Sequence, residues 1–267
     1  MKLLNGSELA SYIKVRHARQ VRTLKGSKIQ PRLAVVQAND DNVIDTYVRL
    51  KQRYGDDIGV VVDHHKVQQA EIPELLNKLS NDKSVHGIIV QLPLADPSQT
   101  EELVNLITPP KDVDALGRDS KFTPATPMAI MWLLSGYNID LAGKKLLLVG
   151  RGKLVGEALE KLLKNSGFEP DIISEPSPDL KERALRADII VTATGSPGLI
   201  TPDMLKTAAV VVDAGTTSED GKLVGDLAPE VYERDDLTIT PTKGGVGPLT
   251  VCALFENVIQ AASDAKN

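Results

Sequence analysis

A single cysteine, Cys252, rules out any intrachain disulfide. Such sparing use of cysteine fits a reducing compartment, and a cytoplasmic location is expected. Cys252 lies in an apolar run and reads as a buried packing residue. Aromatic residues make up only 3% of the 267, whereas hydrophobic residues reach 42%. The core must therefore be built from Val, Leu, Ile and Ala, which suits buried parallel strands covered by helices. No apolar run approaches the ~20 residues of a membrane span. Met1 to Leu9 has no signal-peptide core and reads as a lead-in, capped by Ser7, to a helix. The net charge of -5 comes with no clustered basic footprint for nucleic acid. The Lys14 to Lys25 stretch reads as the solvated face of a helix. No metal site is expected.

What is present is an alternation of short apolar runs with amphipathic stretches. Strands are expected at 32–37, 58–63 and 85–91, and helices at 8–24, 43–54, 71–79 and 100–107. Pro109-Pro110 and the polar stretch 117–123 interrupt the pattern. A helix at 127–135 follows, then strands at 145–149, 171–174, 188–193, 208–213 and 238–240, with helices at 154–165 and 249–262. Strands alternating with helices imply parallel sheets joined by right-handed crossovers. The expected fold is α/β in two domains with a cleft between them. Residues 1–119, completed by the C-terminal helix within 248–267, would form one domain. Residues 120–247 would form a Rossmann-type dinucleotide-binding domain.

The strand ending at Val149 runs into Gly150-Arg151-Gly152-Lys153-Leu154-Val155-Gly156 and then a helix. Glycines in such a turn let the backbone approach a pyrophosphate at a helix N-terminus, where unpaired N–H groups and the helix dipole favour anions. The spacing is G-x-G-x-x-x-G, so the strand–turn–helix context carries much of the signal. Arg151 could meet a 2′-phosphate and favour NADP, while Glu175, near the end of the next strand, could bind the ribose 2′-hydroxyl of NAD. The two residues point opposite ways.

Tyr47 and Lys51, spaced i, i+4, share a helix face. Alone the pair reads as surface decoration. Gln91, however, ends a buried strand, where ligands of parallel α/β sheets collect, and Lys111-Asp112-Val113-Asp114 follows the Pro-Pro break. In order along the chain stand Tyr47-x-x-x-Lys51, VHGIIVQLPL (85–94), PPKDVDA (109–115), ATP (125–127), VGRGKLVG (149–156), ADIIVTATGSP (187–197), VVVDAGT (210–216) and TPTKGGVGPLT (240–250). Over nearly the whole chain this ordered set resembles the bifunctional methylenetetrahydrofolate dehydrogenase/methenyltetrahydrofolate cyclohydrolase family.

The resemblance implies oxidation of 5,10-methylenetetrahydrofolate with NADP (or NAD) and hydrolysis of the methenyl product to 10-formyltetrahydrofolate. Lys51 resembles the family's catalytic lysine and Gln91 the partner that orients it. Asp114 resembles the residue that holds the pterin ring, and Tyr47 the one that stacks on the folate. Leu92, Gly244, Gly247 and Pro248 fall on the substrate side. Gly150, Arg151, Gly152, Ser177 and Thr216 fall at cofactor-contact positions. The resemblance also implies a homodimer. Ile44, Ala125, Gly152, Lys243 and Thr216 depart from the family's usual residues, and the loop after Asp114 is shorter by about nine residues, or about two and a half helical turns if it were helical. Other readings remain open here: an enzyme keeping one of the two activities, a different lysine-dependent Rossmann dehydrogenase, or a non-catalytic dinucleotide-binding regulator.

Overall fold

The computed structural model describes residues 1–174, 177–219 and 222–265. In chain order the strands are β1 (Lys2–Leu3), β2 (Arg32–Gln37), β3 (Val61–Lys66), β4 (Gly87–Val90), β5 (Leu146–Val149), β6 (Asp171–Ile173), β7 (Ile189–Thr192), β8 (Val210–Asp213), β9 (Thr217–Glu219), β10 (Lys222–Val224) and β11 (Thr238–Ile239). The α-helices are α1 (Gly6–Gly26), α2 (Asn42–Ile58), α3 (Ile72–Asn81), α4 (Thr100–Val104), α5 (Ala125–Gly136), α6 (Gly156–Asn165), α7 (Leu180–Arg186) and α8 (Val246–Asp264). Among the described residues, no helix is long and apolar enough to cross a membrane. The chain divides into two compact α/β units, Met1–Ala10 with Thr126–Thr250, and Ser11–Ala125 with Val251–Asn267.

In the unit centred on residues 11–125, β3, β2 and β4 form a parallel sheet with β2 in the middle. Leu33 to Val36 of β2 and Ile88 to Val90 of β4 are almost entirely buried, as expected of strands covered on both faces. One face of this sheet packs Ala34, Val36, Ile88 and Val90 against Ile72, Leu76 and Leu79 of α3 and Leu103 of α4. On α2, Asp41 caps the start by accepting from the Val43 and Ile44 amides at 2.6 and 3.3 Å. Ile44, Val48, Tyr54 and Ile58 form its buried face. Gly59, at φ 84°, stops it in the left-handed conformation that glycine adopts without strain. Because Ile58 completes the helix, β3 starts at Val61 and not at the expected Ile58.

Cys252 is fully buried and accepts a 3.2 Å hydrogen bond from the Tyr54 hydroxyl, which also meets His17 Nδ1 at 2.9 Å. On α1, Val21 and Leu24 are buried, and Lys14 pairs with Asp57 at 2.7 Å. Asn257 of α8 is buried, and its amide donates to the Val113 carbonyl at 2.8 Å and the Thr123 carbonyl at 2.9 Å. Val113 is thereby pinned immediately before Asp114.

The other unit contains a six-stranded parallel sheet in the order β1-β11-β8-β7-β5-β6. The chain steps from β5 outward to β6 and then returns to β7 on the other side of β5, so the topological switch point lies between β5 and β7. Here the first ten residues differ from the expected domain boundary. Lys2 and Leu3 add an edge strand beside Thr238 and Ile239, so they belong with this sheet. The α1 N-terminus is capped by Asn5, whose Oδ1 accepts from the Glu8 amide at 3.2 Å, and not by Ser7. The Ser7 amide instead donates to the Gly244 carbonyl at 2.9 Å. Helix α8 begins at Val246, earlier than Leu249, because Pro248 falls in its first turn, where no backbone donor is required. The antiparallel pair β9 and β10 and helix α7 are not expected from the sequence.

Truncating Asn257 to Ala would leave two carbonyls without their donor, at about 1–3 kcal/mol per unsatisfied buried group. The Asn257→Ala variant should therefore lose about 2–6 kcal/mol of stability in urea denaturation. A midpoint equal to that of the parent would show that these bonds do not hold the 113–123 segment.

Candidate functional site

Gln91 directly follows β4, and its amide continues the ladder by donating to Val36 O at 2.8 Å. Its side chain therefore projects from the C-terminal end of a buried strand. The Lys51 ammonium, one turn beyond Tyr47 on α2, donates to Gln91 Oε1 at 2.8 Å. Gln91 Nε2 in turn donates to the Leu92 carbonyl at 3.0 Å, which fixes the amide with its oxygen toward the lysine. Lys51, Gln91, Tyr47 and Leu92 are all half-buried.

Asp114 reaches the same place by a different route. The Ile88 amide donates to Lys111 O at 2.8 Å, which lays the 111–113 segment beside β4, and Asn257 holds Val113 O. Asp112 is buried. Its Oδ2 accepts from the Gly117 amide at 2.8 Å, while Oδ1 has no hydrogen-bond partner among the described residues. Burial raises the Asp112 carboxyl above its ordinary range, against the donors of the 115–117 turn and Ser120.

Burial pushes Asp114 up to about 6; the positive charge of Lys51 opposes that shift and the nearby Asp112 adds to it. Burial lowers the Lys51 pKa, against the opposing charge of Asp114. Burial also raises the Tyr47 phenol. The result is an amine whose hold on its proton is weakened by burial, held by a neutral acceptor and coupled by charge to a carboxyl raised to about 6. Such a set can bind a polar ring and move a proton. Lys51, Gln91 and Asp114, singled out in the sequence, are thus brought together within one unit.

In the other unit the glycine-rich turn follows β5. Gly150 has φ 97°, and a side chain there would meet the Ala193 carbonyl oxygen at 2.6 Å. A Cβ at Gly156 would collide with the Gly150 carbonyl. At Gly152 a Cβ would meet nothing within 4 Å, so the turn is open on that side. Helix α6 starts at Gly156 and not at Leu154, because the Val155 and Glu157 amides close a turn onto Gly152 O at 3.3 and 3.1 Å. Its N-terminus has no side-chain cap. Arg151 Nε donates to Glu160 Oε2 at 2.7 Å, and Lys164 pairs with the same carboxylate at 2.9 Å. The Arg151 side chain is half exposed, 51%.

The Ser177 hydroxyl donates to the Asp179 carboxylate, and Thr216 is exposed. Glu175 lies outside the described residues. Gly247 and Pro248 occupy the first turn of α8, and Gly244 precedes it. Sequence reasoning missed two aspartates of this unit, Asp213 and the fully buried Asp226. Their signal was present as acids ending or interrupting apolar stretches, VVVD and LVGDLA.

A family model described as the tetrahydrofolate dehydrogenase/cyclohydrolase catalytic domain matches residues 4–114, and one described as that family's NAD(P)-binding domain matches residues 124–266. The bifunctional protein FolD of a Nitratiruptor species is 37% identical over 281 residues, covering 100% of this chain and 99% of that protein. The bifunctional enzyme FolD of Campylobacter jejuni, a methylenetetrahydrofolate dehydrogenase/cyclohydrolase, superposes with a TM-score of 0.91 at 35% identity and covers 99% of both chains. The Trypanosoma brucei enzyme, solved with NADP and an inhibitor, superposes with a TM-score of 0.92 at 28% identity over 99% of this chain and 98% of that one. This chain belongs to the tetrahydrofolate dehydrogenase/cyclohydrolase family.

Proposed function

We propose that this chain oxidises 5,10-methylenetetrahydrofolate to the methenyl form with NADP and hydrolyses the methenyl form to 10-formyltetrahydrofolate. The observation that carries the reading is the Lys51–Gln91 hydrogen bond beside Asp114. Loss of a hydride from the methylene carbon leaves a cation, which a charged ammonium would oppose. A neutral amine does not. It can donate one N–H to Gln91 Oε1 and keep its lone pair for a proton taken from water; the hydroxide adds to the methenyl carbon, the bond from that carbon to N5 breaks as the new hydroxyl's proton passes to N5, and the amine's proton leaves to solvent. Asp114, ionised above about 6, would accept from the N–H groups of the pterin ring. Tyr47 would stack on the folate, and Leu92, Gly244, Gly247 and Pro248 would border it.

The Gly150–Gly156 turn suits a dinucleotide. Its two tightly packed glycines bring backbone to the start of an uncapped helix, and the turn is open at Gly152. When bound, the dinucleotide accepts the hydride. Gly150, Gly152 and Thr216 would contact it, and Arg151 with Ser177 would meet a 2′-phosphate, which favours NADP over NAD. The single buried cysteine supports a cytoplasmic setting, and the family resemblance supports a homodimer.

Lys51→Met should lower methenyltetrahydrofolate hydrolysis by ~10²–10⁴-fold, the usual worth of a positioned proton-transfer group, while NADP binding persists. Lys51→Arg should not restore hydrolysis, because a guanidinium stays protonated. Wild-type hydrolysis by Lys51→Met, measured by loss of methenyl absorbance, would contradict the assignment.

The raised pKa of Asp114 also sets a sign for stability. Its ionised form is disfavoured in the folded chain relative to the unfolded one, whose carboxyl titrates near about 3.9. The cost is absent below that value, grows through about 6 and is complete above it. Asp114→Asn should therefore raise Tm at pH 7.5 relative to the parent, with little effect at pH 3.5, while folate turnover falls. An equal shift at both pH values would show that burial of the charge is not the cause.

Arg151→Ala should lower kcat/KM for NADP by about tenfold, the loss expected for a charge-assisted hydrogen bond, and change that for NAD by less than about twofold. Equal losses with both dinucleotides would remove Arg151 from the phosphate-side assignment.

A further inference from the structure

The switch point between β5 and β7 is flanked by two segments, the Gly150–Gly156 turn after β5 and the Thr192–Ser196 loop after β7. They pack closely: Gly150 leaves no room for a side chain beneath Ala193 O. The shape of the β7 loop therefore fixes one wall of the crevice in which a dinucleotide binds in sheets of this type.

That loop is organised from inside by a single carboxylate. Asp226 is fully buried, 0% exposed. Its Oδ2 accepts from the Thr192 hydroxyl and from the Thr194 amide, the latter at 2.8 Å, and its Oδ1 accepts from the Ser196 amide at 2.9 Å. A second aspartate completes the arrangement. Asp213, at the end of β8, accepts from the Gly215 amide at 2.9 Å and the Leu227 amide at 3.2 Å. It thereby ties the loop after β8 to the segment that carries Asp226. The two segments approach so closely that a Cβ at Gly215 would strike the Asp226 carboxylate. Thr217 Oγ1 donates to Gly195 O at 2.5 Å and closes the β7 loop on its other side.

We propose that Asp226, supported by Thr192 and Asp213, is a positioning residue for the dinucleotide. Its carboxylate turns the Thr194 and Ser196 N–H groups inward and so sets the wall facing the Gly150 turn. This rests on the dinucleotide reading above. Asp226 acts through the loop and touches neither substrate nor cofactor. All three of its partners donate, so both of its oxygens must accept. An asparagine that keeps its oxygen on the Thr192 and Thr194 side must set its NH2 against the Ser196 N–H, which then keeps only its 3.1 Å bond to Thr194 Oγ1.

The test is Asp226→Asn, compared with the parent in three measurements: NADP affinity by calorimetric titration, hydrogen exchange at the Thr194 and Ser196 amides, and methenyltetrahydrofolate hydrolysis without dinucleotide. NADP should bind about tenfold more weakly, the equivalent of one lost hydrogen bond to a carboxylate. The KM for NADP should rise with kcat changed much less, and the two amides should lose protection. Hydrolysis should persist, since Lys51 and Gln91 lie in the other unit. If Asp226→Asn does not fold, Thr192→Val and Thr192→Ser replace it, with weaker NADP binding expected for Val and near-parent binding for Ser. Unchanged NADP affinity in a folded Asp226→Asn, or equal affinities of the two Thr192 variants, overturns this inference alone. A parent protein that binds no dinucleotide overturns the functional reading as well.

Discussion

The contact on which the rest depends is the hydrogen bond from the Lys51 amine to Gln91 Oε1 at 2.8 Å. It joins a helix to the end of a strand across 40 residues of sequence, and each partner is held by local chemistry. The Asp41 cap and the Gly59 stop define the span of α2 and so the direction in which Lys51 points. The Gln91 amide bonds to Val36 and its side chain to Leu92, which leave the carboxamide oxygen directed at the lysine. Half-burial then does what an exposed i, i+4 pair cannot, which is to weaken the lysine's hold on its proton. Asp114 counters that effect through its charge and is itself raised to about 6, so the amine and the carboxyl restrain each other.

Both units place buried or half-buried carboxylates at the working edge of a parallel sheet. Asp114 in one and Asp213 in the other are each pushed by burial to about 6. For Asp213 the nearby Asp226 raises the value further, while the backbone N–H groups of Gly215, Asp226 and Leu227 hold it down. Such groups lower the stability of the folded chain at neutral pH. Their persistence is consistent with a demand for order in loops that must present backbone and charge in a fixed arrangement.

The sequence was most legible where burial is continuous. β2 and β5 read as apolar runs because both faces of their sheets are covered. The apolar pattern sets β3 three residues early because Ile58 looks like the start of an apolar strand and is in fact the last buried residue of α2. Helix α7 leaves little pattern in the sequence because it has only seven residues and its burial rests on Leu180 and Ala184. β1 gained its strand character from a partner more than two hundred residues away, Thr238, which no local pattern reveals. The site divides in the same way. Lys51 and Tyr47 formed a weak pair until the ordered motifs gave them a context. Asp226 shows in the sequence only as an acid interrupting an apolar stretch, because its meaning lies in donors some 30 residues earlier, at Thr192, Thr194 and Ser196.

The account turns on the protonation of one amine, and the most direct measurement is an NMR titration of that amine in protein carrying 13C-labelled lysine, with Lys51→Arg used to assign its signal. Lys51 should titrate below the ordinary lysine value of about 10.4. Its value should fall further in Asp114→Asn, where the opposing charge is gone. A Lys51 that titrates with the exposed lysines and does not respond to Asp114→Asn would contradict the central claim.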